Sequence, residues 1–111
     1  MRGNEYQKLA LRALNKEFSK DPTNQLINGI LGIMGESGEM ADHIKKHRYQ
    51  GHSLNKEYLA EELGDVCWYI SLLANSLGYD LETIMEMNIK KLKKRYPQGF
   101  EVEKSLNRRD E

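Results

Sequence analysis

Signals that start and stop helices divide this chain into four segments, and they restrict its fold more than any other feature. Two prolines occur in 111 residues, and both fall where a helix is expected to begin or end. No stretch alternates apolar and polar residues convincingly, as a half-buried strand would. The sequence therefore predicts an all-α fold in a single domain that spans residues 1–111.

The helices themselves are predicted from the spacing of apolar residues between these signals, at about residues 5–18, 22–47, 55–77 and 80–96. The boundary signals are a capping box (Asn4, Gln7), an N-cap before proline (Asp21, Pro22), a C-cap glycine (Gly78), a second N-cap (Asp80) and a terminating proline (Pro97). Residues 101–111 form a polar tail with little to pack, and we expect it to be loose.

Charge and composition exclude several classes of protein. Lysine plus arginine number 17 and aspartate plus glutamate number 17, so the formal net charge is zero, whereas a nucleic-acid groove needs a basic excess. No apolar run approaches the roughly eighteen residues of a membrane span, and no signal-peptide pattern is present. The single cysteine, Cys67, is expected to be a buried apolar side chain in a reducing compartment. We therefore expect a cytoplasmic protein without nucleic-acid or membrane partners.

The second helix carries the stretch GILGIMGESGEMAD, in which glycine recurs at every third position beside two glutamates. Each interior glycine costs a helix about 1 kcal/mol relative to alanine, so four of them need a reason. Glu36 and Glu39 lie one turn apart on the polar side, with Gly32 one turn before Glu36. We infer that the glycines make room for a ligand beside these carboxylates. The opposite side is apolar, with Leu26, Ile27, Ile30, Ile33, Met34, Ala41 and Ile44.

The third helix repeats this arrangement with Glu62 and Asp65, again at i and i+3. If the two helices form an antiparallel hairpin, the acidic pairs converge, and four carboxylates would repel one another without a cation. Acidic pairs on helices are commonly solvated, but two pairs on facing helices favour a metal site. Mg²⁺, with Mn²⁺ as a substitute, suits such oxygen ligands. The expected ligands are Glu36, Glu39, Glu62 and Asp65. A separate apolar stripe comprises Leu59, Leu63, Val66, Ile70, Leu73 and Leu77.

The fourth helix supplies polar residues that share a face with its apolar ones, namely Asn88, Lys91 and Arg95. We expect this face to point inward, where the cations either pair with the acids or hold phosphate oxygens, and we favour phosphate. Lys46, on the acidic side of helix two, is a further candidate for phosphate, and Gly32 is a candidate for substrate contact. Trp68 either stacks on a nucleobase or packs at a subunit interface.

Three segments in order, GESGEMAD, EELGDVCWYI and NIKKLKKRYPQGF, resemble the MazG-like nucleotide pyrophosphohydrolases of the all-α NTP pyrophosphatase superfamily. The family motif is ExxE, a spacer, then ExxD. Here it reads Glu36-Ser-Gly-Glu39, twenty-two intervening residues and Glu62-Leu-Gly-Asp65. The resemblance implies a four-helix core, assembled as a homodimer or homotetramer with sites at the subunit interface.

The implied activity is Mg²⁺-dependent hydrolysis of a ribo- or deoxynucleoside triphosphate to the monophosphate and pyrophosphate, and nucleotide-pool house-cleaning is a possible purpose. A metal-activated water would attack the α-phosphorus. Glu36 and Glu39 would be catalytic, with Glu39 as the expected general base. Lys91 and Arg95 would contact phosphates, and Asn88 would lie near the nucleotide.

Alternatives to this interpretation remain open at the level of sequence. Phosphoribosyl-ATP pyrophosphohydrolase shares the fold and the binding of metal by carboxylates, although the segments GDVCWYI and RYPQGF favour the MazG-like enzymes. A di-iron carboxylate bundle expects Glu-x-x-His pairs, which are absent. A non-catalytic helical dimerisation module, in which inward charges only fix the register, is an alternative of a different class.

Overall fold

The structure is a computed structural model that describes residues 1–108, and these residues are helical apart from turns and one isolated bridge between Pro97 and Gly99. This confirms the predicted all-α class. None of the helices within these residues combines the length and apolar character that crossing a bilayer requires. The elements are α1 (Gly3–Ala10), a 3-10 turn (Leu11–Ala13), α2 (Pro22–Tyr49), α3 (Lys56–Ser76), α4 (Leu81–Arg95) and α5 (Val102–Leu106).

Side-chain caps start the three long helices, which is why their boundaries agree with the sequence to within about two residues. Gly78, with a φ of 79°, follows the end of α3 in the left-handed conformation that glycine adopts without strain. In each cap a side-chain oxygen accepts a hydrogen bond from a backbone N–H. The pairs are Asp21 with Thr23 N–H (2.9 Å), Asn55 with Tyr58 N–H (3.0 Å) and Asp80 with Thr83 N–H (2.8 Å).

The first helix is shorter than predicted, because it ends at Ala10 and residues 14–18 do not continue it. The Trp68 indole N–H, on α3, donates to the Ala10 carbonyl at 2.7 Å. Further on, the Asn15 side chain accepts from the Glu17 N–H at 3.0 Å. Such side-chain bonds compete with the helical pattern, and an apolar spacing alone does not reveal them.

The predicted capping box of α1 is wrong, since the N-cap is Arg2 and no side chain caps it. Asn4 and Glu82 instead exchange two bonds, each 2.9 Å, between backbone N–H and side-chain oxygen. Gln7, which is buried, accepts from the Leu81 N–H at 2.9 Å and donates to the Ser71 carbonyl at 3.2 Å. The first helix therefore satisfies the free N–H groups at the start of α4 rather than its own.

Two of the four glycines in α2 admit the neighbouring helix, so α2 and α3 form a close antiparallel hairpin. A Cβ at Gly29 would lie 2.9 Å from the Leu73 Cβ, and one at Gly32 would overlap the Tyr69 ring. Gly35 faces open space, as does Gly38. The expectation that these glycines leave room for a ligand is therefore wrong for Gly29 and Gly32, whose free side is occupied by α3. A contact of Gly32 with substrate stays a prediction.

Apolar side chains are mostly outside the small core of a single chain. In residues 1–108, the buried apolar side chains are Leu72 and Ala74, at 0% and 1% exposure. The radius of gyration is 17.2 Å, whereas a compact chain of this length would have about 13 Å. The predicted apolar sides of α2 and α3 are therefore only partly buried, and their exposed members are Ile27, Ile30, Met34, Ile44, Leu63 and Leu77.

Two other expectations are also wrong. Cys67 is exposed rather than buried, because α3 turns it away from the α2 side of the hairpin. The tail is not uniformly loose, since residues 102–106 form α5, which leaves Val102 and Leu106 exposed. Residues 109–111 of the predicted tail lie outside the described residues.

We predict opposite effects on stability for two substitutions in α2. Gly32→Ala forces a methyl group into the Tyr69 ring and should lower the free energy of unfolding by about 1–3 kcal/mol. Gly35→Ala meets no neighbour and should raise it by about 0.5–1 kcal/mol, because alanine favours the helix. Urea denaturation measures both values. Equal effects at the two positions would contradict this account of the hairpin.

Candidate active site

Three carboxylates from α2 and α3 meet in the middle of the hairpin. Glu36, Glu62 and Asp65 each place one oxygen within 4.8 Å of the others. Glu62 and Asp65 are one turn apart on α3, and Glu36 lies opposite them on α2. The two helices are in close contact at Gly29, two turns before Glu36, and at Gly32, one turn before it. The hairpin predicted from the sequence thus brings Glu62 and Asp65 beside Glu36, one member of the other acidic pair, and we call these three residues the acid cluster.

The acid cluster contains oxygens without partners. Glu36 Oε2 and Glu62 Oε2 are buried, and no N–H or hydroxyl group of the described residues donates to either oxygen. Glu62 as a whole is only 8% exposed. Buried carboxylate oxygens without donors are unfavourable, and cations relieve this cost. Three carboxylates with free oxygens form a donor set that suits a hard divalent cation.

The closeness of these carboxylates changes the ionisation of the groups around them. Hydrogen bonding to Glu36 and then Glu39, followed by burial, raises the pKa of Glu62 to about 8. Burial and the negative charges of Glu62 and Glu39 likewise raise the pKa of Tyr58. Without a cation, the acid cluster therefore holds a proton on Glu62 near neutral pH, because two adjacent carboxylates resist full ionisation.

Glu39 lies at the edge of the acid cluster rather than within it. Its side chain is exposed, and it is not one of the three carboxylates that share the 4.8 Å group, although it interacts with Glu62. A polar pocket of about 310 Å³ adjoins it, lined in part by Lys46 and Tyr58. Lys46 pairs there with Asp42 at 2.9 Å. The predicted phosphate contact of Lys46 is not tested by this ion pair and stays a prediction.

The candidates on α4 do not point into the core of the chain. The first turns of α4 pack against α1 and α3, whereas Asn88 and Lys91, further along, are exposed. The expectation of an inward face is therefore wrong for these two residues in a single chain. Arg95 is half-buried and interacts with other groups. Contacts of all three with substrate stay predictions.

A larger cavity, of about 690 Å³, lies between α3 and the segment that leads into α2. Trp68 and Tyr69 form one wall, and Phe18 forms part of another. The Trp68 indole N–H is bound by Ala10, and its ring meets Tyr69 edge-on with centroids 5.1 Å apart. The alternatives for Trp68, a nucleobase or a subunit interface, both remain predictions.

Sequence reasoning did not assign a role to Tyr69 or Phe18. Gly29 and Gly32 lie one turn apart on α2. Two glycines at this spacing could have indicated that large side chains of the next helix pack directly against them. Phe18 could not have been found, because it was placed in a helix that the structure ends at Ala10.

We predict a pH dependence of stability that originates at Glu62. In the metal-free folded protein its pKa is about 8, against an ordinary value of 4.5, so the folded state holds a proton that the unfolded state loses. Stability should therefore fall as the pH rises from about 4.5 to 8. Glu62→Gln removes this dependence and should raise the melting temperature of the metal-free protein at alkaline pH.

The control is Glu61→Gln, a neighbouring exposed acid, which should keep the wild-type pH profile. Melting curves measured in chelator between pH 4.5 and 9 give the comparison. Identical profiles for Glu62→Gln and the wild type would show that Glu62 ionises normally.

Comparisons with known proteins agree with this geometry. A family model described as the MazG nucleotide pyrophosphohydrolase domain matches residues 26–100, which include both acidic pairs. The chain is 38% identical over 73 residues to the Gene 37 protein of Mycobacterium phage L5, covering 62% of this chain and 64% of that protein. It is 32% identical over 73 residues to the uncharacterized protein YvdC of Bacillus subtilis (strain 168), covering 58% of this chain and 69% of that protein.

No solved structure matches the chain. The family model, by contrast, covers more than half of it, from the first turns of α2 to the residues that follow α4. This chain therefore belongs to the MazG nucleotide pyrophosphohydrolase domain family.

Proposed function

We propose that the protein hydrolyses a ribo- or deoxynucleoside triphosphate to the monophosphate and pyrophosphate, with Mg²⁺ as the cofactor and Mn²⁺ as a substitute. The observation that carries this proposal is the acid cluster, in which carboxylates from two helices meet with unpartnered buried oxygens. A structural ion-pair site would have placed cationic side chains beside these oxygens. Membership of the family supports the reaction class.

Glu36, Glu62 and Asp65 would hold the divalent cation, because each offers a carboxylate oxygen to one point. A bound cation of this kind neutralises phosphate charge and lowers the pKa of a water molecule. The proton on Glu62 would have to leave when the cation binds, since metal ligands act in the deprotonated form. Cation binding is therefore expected to release protons and to strengthen as the pH rises.

Glu39 is the proposed general base. It interacts with Glu62, yet its exposed position outside the group of three leaves its carboxylate able to take a proton from an attacking water. Lys46 is the proposed phosphate ligand on the same side. Its bond to Asp42 is an exposed ion pair, which contributes little stability, so exchanging Asp42 for a phosphate oxygen costs little.

Oligomerisation belongs to the proposal, because Ile30, Leu31 and Met34 of α2 are large apolar side chains that are exposed in a single chain with a small core. A second copy is the proposed partner, giving a homodimer or homotetramer. In such an assembly the exposed half of α4 packs on another subunit. Asn88, Lys91 and Arg95 could then reach the phosphates of a substrate at the subunit interface.

We predict that a charge on this apolar side separates the subunits. Met34, at 68% exposure, projects from α2, and Met34→Glu should reduce the mass measured by sedimentation to that of one chain. Ser53→Glu adds the same charge in the exposed loop after α2 and should leave the mass unchanged. A wild-type protein that sediments as a single folded chain would contradict oligomerisation.

We predict that the activity depends on the acid cluster. Purified protein with Mg²⁺ should release pyrophosphate from at least one nucleoside triphosphate, and Asp65→Asn should lower kcat by about 100-fold or more with an unchanged circular dichroism spectrum. Mg²⁺ should raise the melting temperature of the wild type but not of Asp65→Asn. Glu61→Gln, on the same helix but outside the acid cluster, is the control and should behave like the wild type.

The outcome also distinguishes the alternatives. Turnover of phosphoribosyl-ATP in preference to all nucleoside triphosphates would replace the proposed substrate. Release of pyrophosphate from none of these compounds, with Mg²⁺ or Mn²⁺, would favour a non-catalytic helical module.

A further inference from the structure

We propose that His43 is a positioning residue for the acid cluster, because it fastens the start of α3 to α2 and so holds the carboxylates in the arrangement that binds a cation. This inference rests on the proposed function in one respect, namely that a divalent cation binds at the acid cluster. It does not depend on hydrolysis. The roles described above do not include His43.

His43 makes two contacts across the hairpin, at the end where α2 leads into α3. Its Nε2 accepts a hydrogen bond from the backbone N–H of Asn55 at 3.0 Å. Its ring lies against the ring of Tyr58, with centroids 5.3 Å apart, and both side chains are half-buried. Asn55 is the N-cap of α3 and itself accepts from the Tyr58 N–H. One side chain of α2 therefore contacts both the cap and the first turn of α3, and we call these two contacts the His43 link.

The acids of the site lie between the His43 link and the close contact at Gly32. Gly32 and His43 are eleven positions apart on α2, and Tyr58 and Tyr69 are eleven positions apart on α3. Eleven residues make about three helical turns, so both ends of each stretch face the partner helix. The acids within these stretches are Glu36, Glu39, Glu62 and Asp65. The hairpin is therefore fastened on both sides of its carboxylates.

The two fastenings differ in kind. At Gly32 the Tyr69 ring occupies the space of the absent Cβ, so direct packing holds the helices together. On the other side the helices are joined by the His43 side chain, through one hydrogen bond and one ring contact. The backbone N–H of Asn55 can only donate, so the bond needs an acceptor at Nε2. A side chain without that acceptor leaves the N–H to water, which does not hold α3 against α2.

The His43 link matters for the cation because the carboxylates repel one another. Glu36, Glu62 and Asp65 place oxygens within 4.8 Å of each other, and like charges at this distance push their helices apart. Glu62 lies one turn after Tyr58, so the link opposes this separation close to the buried acid. A chain that holds the arrangement only part of the time binds its ligand more weakly, in proportion to the fraction that is competent.

The test is a calorimetric titration of the metal-free protein with Mn²⁺ and with Mg²⁺, without nucleotide and at one pH. His43→Phe keeps a ring against Tyr58 but lacks the acceptor, and it should raise the Kd of both metals about threefold or more. His43→Gln has an amide oxygen as many bonds from the backbone as Nε2, and its Kd values should stay within about twofold of the wild type.

His47→Phe is the matched control. His47 lies one turn after His43, and its Nδ1 donates to the His52 carbonyl at 2.7 Å. This bond fastens the same loop to α2, but at a residue that precedes α3. A general loss of loop stability would therefore affect His47→Phe and His43→Phe alike, whereas positioning of α3 requires that His47→Phe keep the wild-type Kd values.

Pyrophosphate release separates positioning from direct catalysis. If His43 only positions the acids, saturating Mg²⁺ selects the competent arrangement by mass action and should restore kcat of His43→Phe to the wild-type value. A kcat that stays low at saturating Mg²⁺ would give His43 a direct part in the reaction and would overturn the positioning role.

The metal titrations also distinguish this inference from the proposed function. Unchanged Kd values in His43→Phe, or an equal rise in His43→Gln or His47→Phe, would overturn the positioning role and leave the hydrolase proposal intact. The expected Kd values in a protein that releases no pyrophosphate would support the positioning role and overturn hydrolysis. A wild type that binds neither metal would overturn both the cofactor and the role of His43.

Discussion

The close approach of α2 to α3 is the contact on which the rest of this structure depends. Gly29 and Gly32 lack the Cβ atoms that would collide with Leu73 and the Tyr69 ring, so the two helices come together directly beside the acids. That closeness is what forces carboxylates of different helices into one cluster. A wider spacing would leave each acidic pair on its own solvated surface, where it would have no shared chemistry.

The chain inverts the usual arrangement of a small helical protein. The side of α2 that packs against α3 carries glycines and acids, while much of its apolar side faces outward. Crowding of carboxylates around the buried Glu62 opposes folding, and the small apolar core of one chain offers little compensation. Cation binding at the acids and burial of the apolar surface would each supply stabilisation that a single chain lacks.

Local signals predicted the parts of the structure that local chemistry decides. The starts of α2 and α4 follow from Asp21 and Asp80, because an N-cap depends on residues that are near in sequence. The convergence of Glu36 with Glu62 followed from helix periodicity and a hairpin. The end of α1 did not, because the bond from Trp68 to Ala10 joins residues 58 positions apart. Burial of Cys67 and, within a single chain, an inward Lys91 were also mispredicted, since each depends on which face of a helix meets another.

The bonds between α1 and α4 link the fold of the chain to its folding kinetics. Asn4 and Glu82 are separated by 78 positions, and Gln7 and Leu81 by 74. Neither pair can form until the α2–α3 hairpin has brought its flanking segments together, and closing so long a loop is entropically costly. High contact order of this kind slows folding relative to a simple bundle. We therefore expect α1 and the start of α4 to become ordered late, in one cooperative step.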